Sequence, residues 1–303
     1  MFESERLMLI ASPLMKRTPA FERAAALAQA TGATLHIVAF DYLDGLASAG
    51  LIHDRMLDEM RYSYLPLHRE WLEEQADLIR IEGLMVTTEV MWVTRPLTEI
   101  LVHLREIRPS MVIKDLEHES WLKRVMFTPL DVRLLLDCLV PLHLVSKLGH
   151  ALPRKILAAV DPFRTEEHFD GINDSIIASA EKLAAQCDAQ LHLLYAYDLT
   201  YVLESQGGMG FSTDLVQIVY EADELAFNEL AARYGVPPEC RHMVLGSPAK
   251  AIQAYALAEG IDVIVMGTVH RNRMTALLGS TTESVAYHMP SSLLTINPRQ
   301  QAK

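Results

Sequence analysis

The chain has 303 residues, 50% of them hydrophobic and 22% charged, with a formal net charge of −12. That length is enough for large cores and about two average domains, and the acidic balance argues against nucleic acid or an anionic membrane surface as the main partner. Three cysteines, Cys138, Cys187 and Cys240, lie too far apart for a disulfide framework or a zinc motif. No stretch reaches the roughly 18 apolar residues of a membrane span, and a start carrying Glu3 and Glu5 does not suit a signal peptide; a cytoplasmic protein is expected.

Taken in order, Leu7 to Ala11 reads as a first strand that ends at Ser12-Pro13. A helix follows over 19–31, with Phe21, Ala24, Ala25 and Ala28 at helical spacing and Gly32 as its stop. Thr34 to Phe40 is the second strand, and the loop DYLDGLASAG leads into a long amphipathic helix over about 52–81, closed by Gly83. A third strand spans 86–93. Pro96 opens a helix with Leu97, Ile100, Leu101 and Leu104 on one face, as a proline in the first turn permits. Met111 to Ile113 is a fourth strand, a helix runs to about Cys138, and Leu142 to Val145 is a fifth strand.

From Pro153 the order begins again. Ile156 to Val160 ends in Asp161-Pro162, a helix covers 172–187, and Ala189 to Leu194 repeats the pattern of Ala33 to Val38. A glycine-rich loop, SQGGMGFSTD, precedes a helix over about 214–234, and Met243 to Leu245 is the next strand. Pro248 stands 152 residues after Pro96, Val263 stands 152 after Met111, and Ser280 stands 152 after Thr128. A constant offset across strand, loop and helix start defines a tandem repeat of two units, 1–148 and 153–303, joined near Gly149 to Pro153. Strands alternating with helices imply an α/β fold: two tandem Rossmann-like units, each a five-stranded parallel sheet with helices on both faces. Ligands of such sheets bind beyond the carboxyl ends of the strands, at the switch point of strand order.

The most informative stretch is IDVIVMGTVHRNRMTALLGSTTES, at 261–284. A short apolar strand, Val263 to Met266, stops at Gly267, passes through a basic loop and resumes at Gly279-Ser280-Thr281 before a helical pattern. Glycine admits backbone N–H groups close to an anion, and a helix start offers unpaired donors at the positive end of its dipole. These residues, with the strand ending VDPF, make the whole chain resemble the universal stress proteins in their tandem form. Members that bind ATP carry G-x-x-G-x9-G-(S/T) at this element and an Asp at the end of the first strand. The resemblance implies an adenine nucleotide alpha hydrolase-like fold and an ATP site in the second unit. Carried over, Asp161 faces ribose or adenine, Ala196 lies against adenine, and Met266 precedes the first glycine. Gly267 and Gly279 are the outer glycines, Ser280 meets the terminal phosphates, and Thr281 stands beside it. Family members pair through their last strands, so the resemblance also implies pairing of the two units within one chain, and leaves a homodimer open.

Two departures stand in the motif. His270 replaces the middle glycine, and eight residues instead of nine separate it from Gly279; His270, Arg271 and Arg273 are cationic replacements for the lost backbone contacts. The first unit departs further. Its first strand ends in Ala11-Ser12 without an Asp, its fourth in Lys114-Asp115-Leu116-Glu117-His118, and Phe127-Thr128-Pro129 replaces Gly-Ser-Thr. Asp115 and Glu117 would repel phosphate, so this unit is expected to be degenerate for nucleotide.

Blander readings hold elsewhere. Asp161 before Pro162 also suits a turn, and Ser280-Thr281 also suits a helix cap. His36 and His192, at matching places in the second strands, are expected as hydrogen-bonded strand histidines, and no metal motif has ligand spacing. No catalytic set is recognisable, so a weak ATPase at most is expected. Met209 and Phe211 among glycines 207, 208 and 210 read as a lid or a plain crossover loop. Two functions follow: a stress-response protein with a nucleotide in the second unit, or a tandem scaffold for a lipid-like ligand or a protein partner, its nucleotide loop vestigial.

Overall fold

A computed structural model describes residues 5–41, 54–80, 83–116, 130–148, 150–163, 171–197, 213–268, 281–282 and 291–297. The chain divides into two compact units, Met1–Leu152 and Pro153–Lys303.

In the first unit β1 (Arg6–Ile10), α1 (Pro19–Thr31), β2 (Thr34–Asp41), α2 (Asp54–Arg80), β3 (Val86–Trp92), α3 (Pro96–Ile107), β4 (Met111–Asp115), α4 (Leu130–Asp137) and β5 (Leu142–Val145) succeed one another. The strands lie in the order β3-β2-β1-β4-β5 and every pairing is parallel. The second unit repeats this with β6 (Lys155–Val160), α5 (Ile172–Cys187), β7 (Gln190–Tyr197), α6 (Thr213–Arg233), β8 (Arg241–Leu245), α7 (Pro248–Glu259), β9 (Val263–Gly267) and β10 (Ser292–Ile296). Its order is β10-β9-β6-β7-β8, again parallel. The elements read from apolar periodicity are observed with ends displaced by up to three residues, β7 running on past Leu194 to Tyr197, and β10 is added by the structure.

Strands covered on both faces must be apolar throughout, which is why these read as unbroken runs and not as alternations. Met8, Ile37, Val112 and Ile113 in the first unit and Ile156, Leu157, Val263 and Val265 in the second are completely buried. Each such side chain contributes roughly 1.5–3 kcal/mol through the water-exposed surface it loses. Among the described residues no helix is long and apolar enough to cross a membrane.

Helix ends follow local chemistry. Thr18 caps α1, its Oγ1 accepting from the Phe21 N–H at 3.4 Å, and Gly32 ends that helix in the left-handed region at φ 67°. The matching stop of α5 is Asp188 at φ 52°. For α3 and α7 the residue types are exchanged: Arg108 ends α3 at φ 49° and Gly260 ends α7 at φ 64°.

Candidate functional site

In the second unit the chain runs from β6 outward to β7 and β8 on one side and to β9 and β10 on the other. The strand order therefore switches between β6 and β9, the place where such sheets take ligands. Register aligns the ends. Val160 pairs with Tyr195 and Ala158 with Val265, so one further step along the strands sets Asp161 level with Ala196, and two beyond Ala158 sets Val160 level with Gly267. Four residues singled out from sequence, Asp161, Ala196, Met266 and Gly267, thus meet at the carboxyl ends of three adjacent strands. Asp161 is exposed, Ala196 and Gly267 are half-buried and Met266 is buried. Thr281 and Thr282 return to the same place, the Thr282 hydroxyl donating to the Gly267 carbonyl at 3.3 Å. His270, Gly279 and Ser280, and Met209 and Phe211 with their neighbouring glycines, lie outside the described residues.

Local forces set each of these groups. The Asp161 peptide is clamped by Asn173 on α5: its N–H donates to Asn173 Oδ1 at 3.1 Å, and Asn173 Nδ2 donates to its carbonyl at 2.7 Å. The carboxylate accepts from the Phe163 N–H at 3.2 Å, the turn geometry of an Asp before a proline. Gly267 is favoured by packing. A Cβ there would lie 2.9 Å from Ile172 Cγ1 and 3.2 Å from its Cδ1. Beside it, the Thr268 hydroxyl is buried with no hydrogen-bond partner among the described residues.

The crevice has two electrostatic characters. On the β7 side the Tyr195 hydroxyl donates to Asp223 at 3.1 Å. Burial, then the charges of Asp223 and Asp161, pushes the Tyr195 phenol up; burial and the Asp161 charge likewise push the Asp223 carboxyl up. That side suits hydroxyl donors and repels phosphate, whereas the Gly267–Thr282 side offers backbone and hydroxyl groups. Phe163 lies 6.3 Å from the Tyr195 ring and adds an apolar wall. Tyr195, Asp223 and Asn173 were not legible as site residues, since the meeting of β7 with α6, and of β6 with α5, is tertiary.

The matching place in the first unit is occupied by its own side chains. Lys114, at the position of Met266, is 4% exposed and forms an ion pair with Asp131 at 2.9 Å, itself 2% exposed. Asp115, at the position of Gly267, turns its carboxylate to the start of α1 and accepts from the Ala20 N–H at 3.0 Å. Ala20 stands where the second unit has Ile172, and its small side chain leaves room for the carboxylate. At the end of β2 a completely buried His68 meets Asp41 through Nδ1 at 2.9 Å. The Lys114–Asp131 pair puts internally compensated charge where a ligand would enter.

Both units also carry a ring cluster between their second and third strands and the following helix. In the first, His36 (β2) and His103 (α3) stack with centroids 5.4 Å apart and Nε2 atoms at 3.2 Å, next to Glu89 of β3. Burial, followed by the charges of His103 and Arg6, holds the His36 imidazole down at about 4. In the second, His192 (β7), His242 (β8) and Tyr255 (α7) occupy the matching positions. Nδ1 of His192 and Nε2 of His242 lie 3.0 Å apart. Both strand histidines are hydrogen-bonded, as expected; their partners were not legible from spacing.

Five parallel strands in the order 3-2-1-4-5 in each unit define a tandem Rossmann-like protein. Residues 153–297, the second unit, match the sequence model of the Universal stress protein family. Similarity over most of the chain extends to curated relatives. The Universal stress protein E of Escherichia coli (strain K12) is 25% identical over 299 residues, 98% of this chain and 95% of the relative. The Universal stress protein E homolog of Haemophilus influenzae is 24% identical over 256 residues, 84% of this chain and 83% of its own. Among solved structures, a functionally unknown protein from Pseudomonas aeruginosa PAO1 has a TM-score of 0.72 at 23% identity, covering 97% of this chain and 93% of that one. A universal stress protein from Archaeoglobus fulgidus DSM 4304 has a TM-score of 0.65 at 19% identity, covering 96% of each chain. The structural likenesses bear on the fold alone, and they share it.

Proposed function

We propose that this chain is a cytoplasmic stress-response protein whose second unit binds an adenine nucleotide, ATP in the first instance, while its first unit does not. The match of the second unit to the Universal stress protein family and the similarity to Universal stress protein E support the stress-response role. The observation that carries the nucleotide reading is the convergence of Asp161, Ala196, Met266 and Gly267 at the β6/β9 switch point, with Thr281 and Thr282 held beside Gly267. The charge pattern fits a molecule with hydroxyls at one end and phosphates at the other. Asp161 would accept from ribose hydroxyls, Ala196 and Met266 would wall the base, and Gly267, His270, Gly279, Ser280 and Thr281 would take the phosphates. Free cysteines at 138, 187 and 240 support a reducing compartment. Occupancy would bias a protein partner's affinity only in so far as the ligand distinguishes two states of the chain.

The test is native mass spectrometry of the purified full chain titrated with ATP. The expected result is a single ATP adduct, weakened about tenfold by Asp161→Ala, the loss of a hydrogen bond to a charged acceptor. A chain that takes no ATP, or that carries a co-purified apolar molecule which ATP does not displace, would overturn the reading in favour of a lipid-like ligand.

A further inference from the structure

The ring cluster of the first unit shares no residue with the nucleotide crevice of the second. Its three potential donor atoms, His36 Nε2, His103 Nε2 and Glu89 Oε2, form a triangle with edges of 3.2, 3.7 and 3.6 Å. Ligands held 2.0–2.2 Å from a tetrahedral ion sit about 3.3 Å from one another, so the triangle has the dimensions of one face of such a site. Two imidazoles and one carboxylate suit a borderline divalent ion such as Zn²⁺, not the all-oxygen preference of Ca²⁺ or Mg²⁺.

The surroundings are those of a built site. His36 and His103 are 7% and 5% exposed. The Phe40 ring meets His103 edge-on at 5.7 Å, which fixes its plane. Thr87 Oγ1 lies 2.8 Å from His36 Nδ1, the partner on the far nitrogen that commonly orients a metal-bound imidazole. A cavity of about 460 Å³, lined in part by Arg6, Thr34, His36, Arg80 and Thr87, borders His36. Of the two cations lining it, Arg80 is already paired with Glu73 and Asp77. In the second unit the same three positions hold His192, His242 and Tyr255, a set without a carboxylate, whose Tyr255 hydroxyl lies 3.4 Å from His192 Nδ1. One scaffold thus carries a plain hydrogen-bonded stack in one unit and three potential ligands, two imidazoles and a carboxylate, in the other.

We infer that His36, Glu89 and His103 bind a divalent transition-metal ion, Zn²⁺ fitting best, which ties α3 to β2 and β3 and leaves a fourth position for water. The ligands come from three separate elements, which is why no short motif announces them.

The test uses the chelator-treated full chain titrated with Zn²⁺ and followed by thermal unfolding, with Co²⁺ absorption as a second readout. The wild-type chain is expected to bind one ion. Its Tm should rise with Zn²⁺ concentration, because a ligand that binds the native state stabilises by mass action, and Co²⁺ should give the intense visible bands of a tetrahedral site. Glu89→Gln, isosteric and at a partly exposed position, keeps the metal-free Tm and loses at least about tenfold in affinity, since even outer-shell partners cost 10–100-fold. His103→Tyr, which copies the second unit, abolishes the shift, and His242→Gln in the second unit leaves it intact. No Zn²⁺-dependent Tm shift, or a shift that survives both Glu89→Gln and His103→Tyr, would overturn the inference. ATP binding is read separately, so either site can fail without the other.

Discussion

Gly267 shows how one residue can carry two explanations. Its place in a phosphate-binding motif is legible from sequence; its immediate physical cause is Ile172, which leaves no room for a Cβ. The first unit solves the same contact with the sizes reversed, Asp115 opposite Ala20. Gly267→Ala is therefore expected to destabilise the second unit by about 1–3 kcal/mol, the ordinary cost of overpacking. Urea unfolding should show Ile172→Ala relieving part of that cost in the double variant, and strict additivity would argue against the contact. The Lys114–Asp131 pair makes a second residue-scale case. Asp131→Ala strands a buried lysine and should cost about 3–5 kcal/mol, whereas Lys114→Met with Asp131→Leu together should recover most of it. If the single and double variants unfold alike, the ion pair is not what fills that crevice. Neither residue was legible in this role, because a lysine at a strand end and an aspartate in a first helical turn each have an ordinary local reading.

At the scale of elements, equivalent helices end by different means. Gly260 enters the left-handed region without penalty, while Arg108 enters it at φ 49° with a Cβ, at a cost of roughly 1–2 kcal/mol for an L-residue. Arg108 is exposed and its side chain is dispensable to the turn, so Arg108→Gly should raise the stability of the first unit by about 1 kcal/mol in chemical denaturation. The stack of His192 and His242 against Tyr255 sets a pH dependence in the second unit. Burial comes first for both imidazoles, followed by the charge of Lys155 for His192 and by His192 for His242, and each is held below its ordinary 6.5. The folded state therefore binds fewer protons than the unfolded chain once pH drops below about 6.5. The stability of this unit is complete above that pH and declines as pH falls through it. Tm measured from pH 7.5 downward should show this slope, and His242→Gln should flatten it; a slope unchanged in the variant would assign the effect elsewhere.

At the scale of the whole molecule, the fold was legible and the site only partly. Apolar runs, proline helix starts and the constant offset between Pro96 and Pro248 sufficed for the element order, because parallel strands buried on both faces leave an unmistakable pattern. The strand ends at Asp161, Ala196 and Gly267 followed once parallel order was granted. Clusters such as His36, Glu89 and His103 did not, since their members are distant in sequence and each has a blander local explanation. The two units share a scaffold and differ in what closes it: the first fills its switch point with Lys114, Asp115 and Asp131, while the second keeps a glycine and two threonines there.

That asymmetry is tested most directly by calorimetric titration of ATP into the full chain. The expected result is one site per chain, abolished by Gly279→Asp, which adds a carboxylate to the proposed phosphate-binding stretch, and unaffected by Glu89→Gln in the first unit. Two sites per chain, or one that persists in Gly279→Asp, would contradict it.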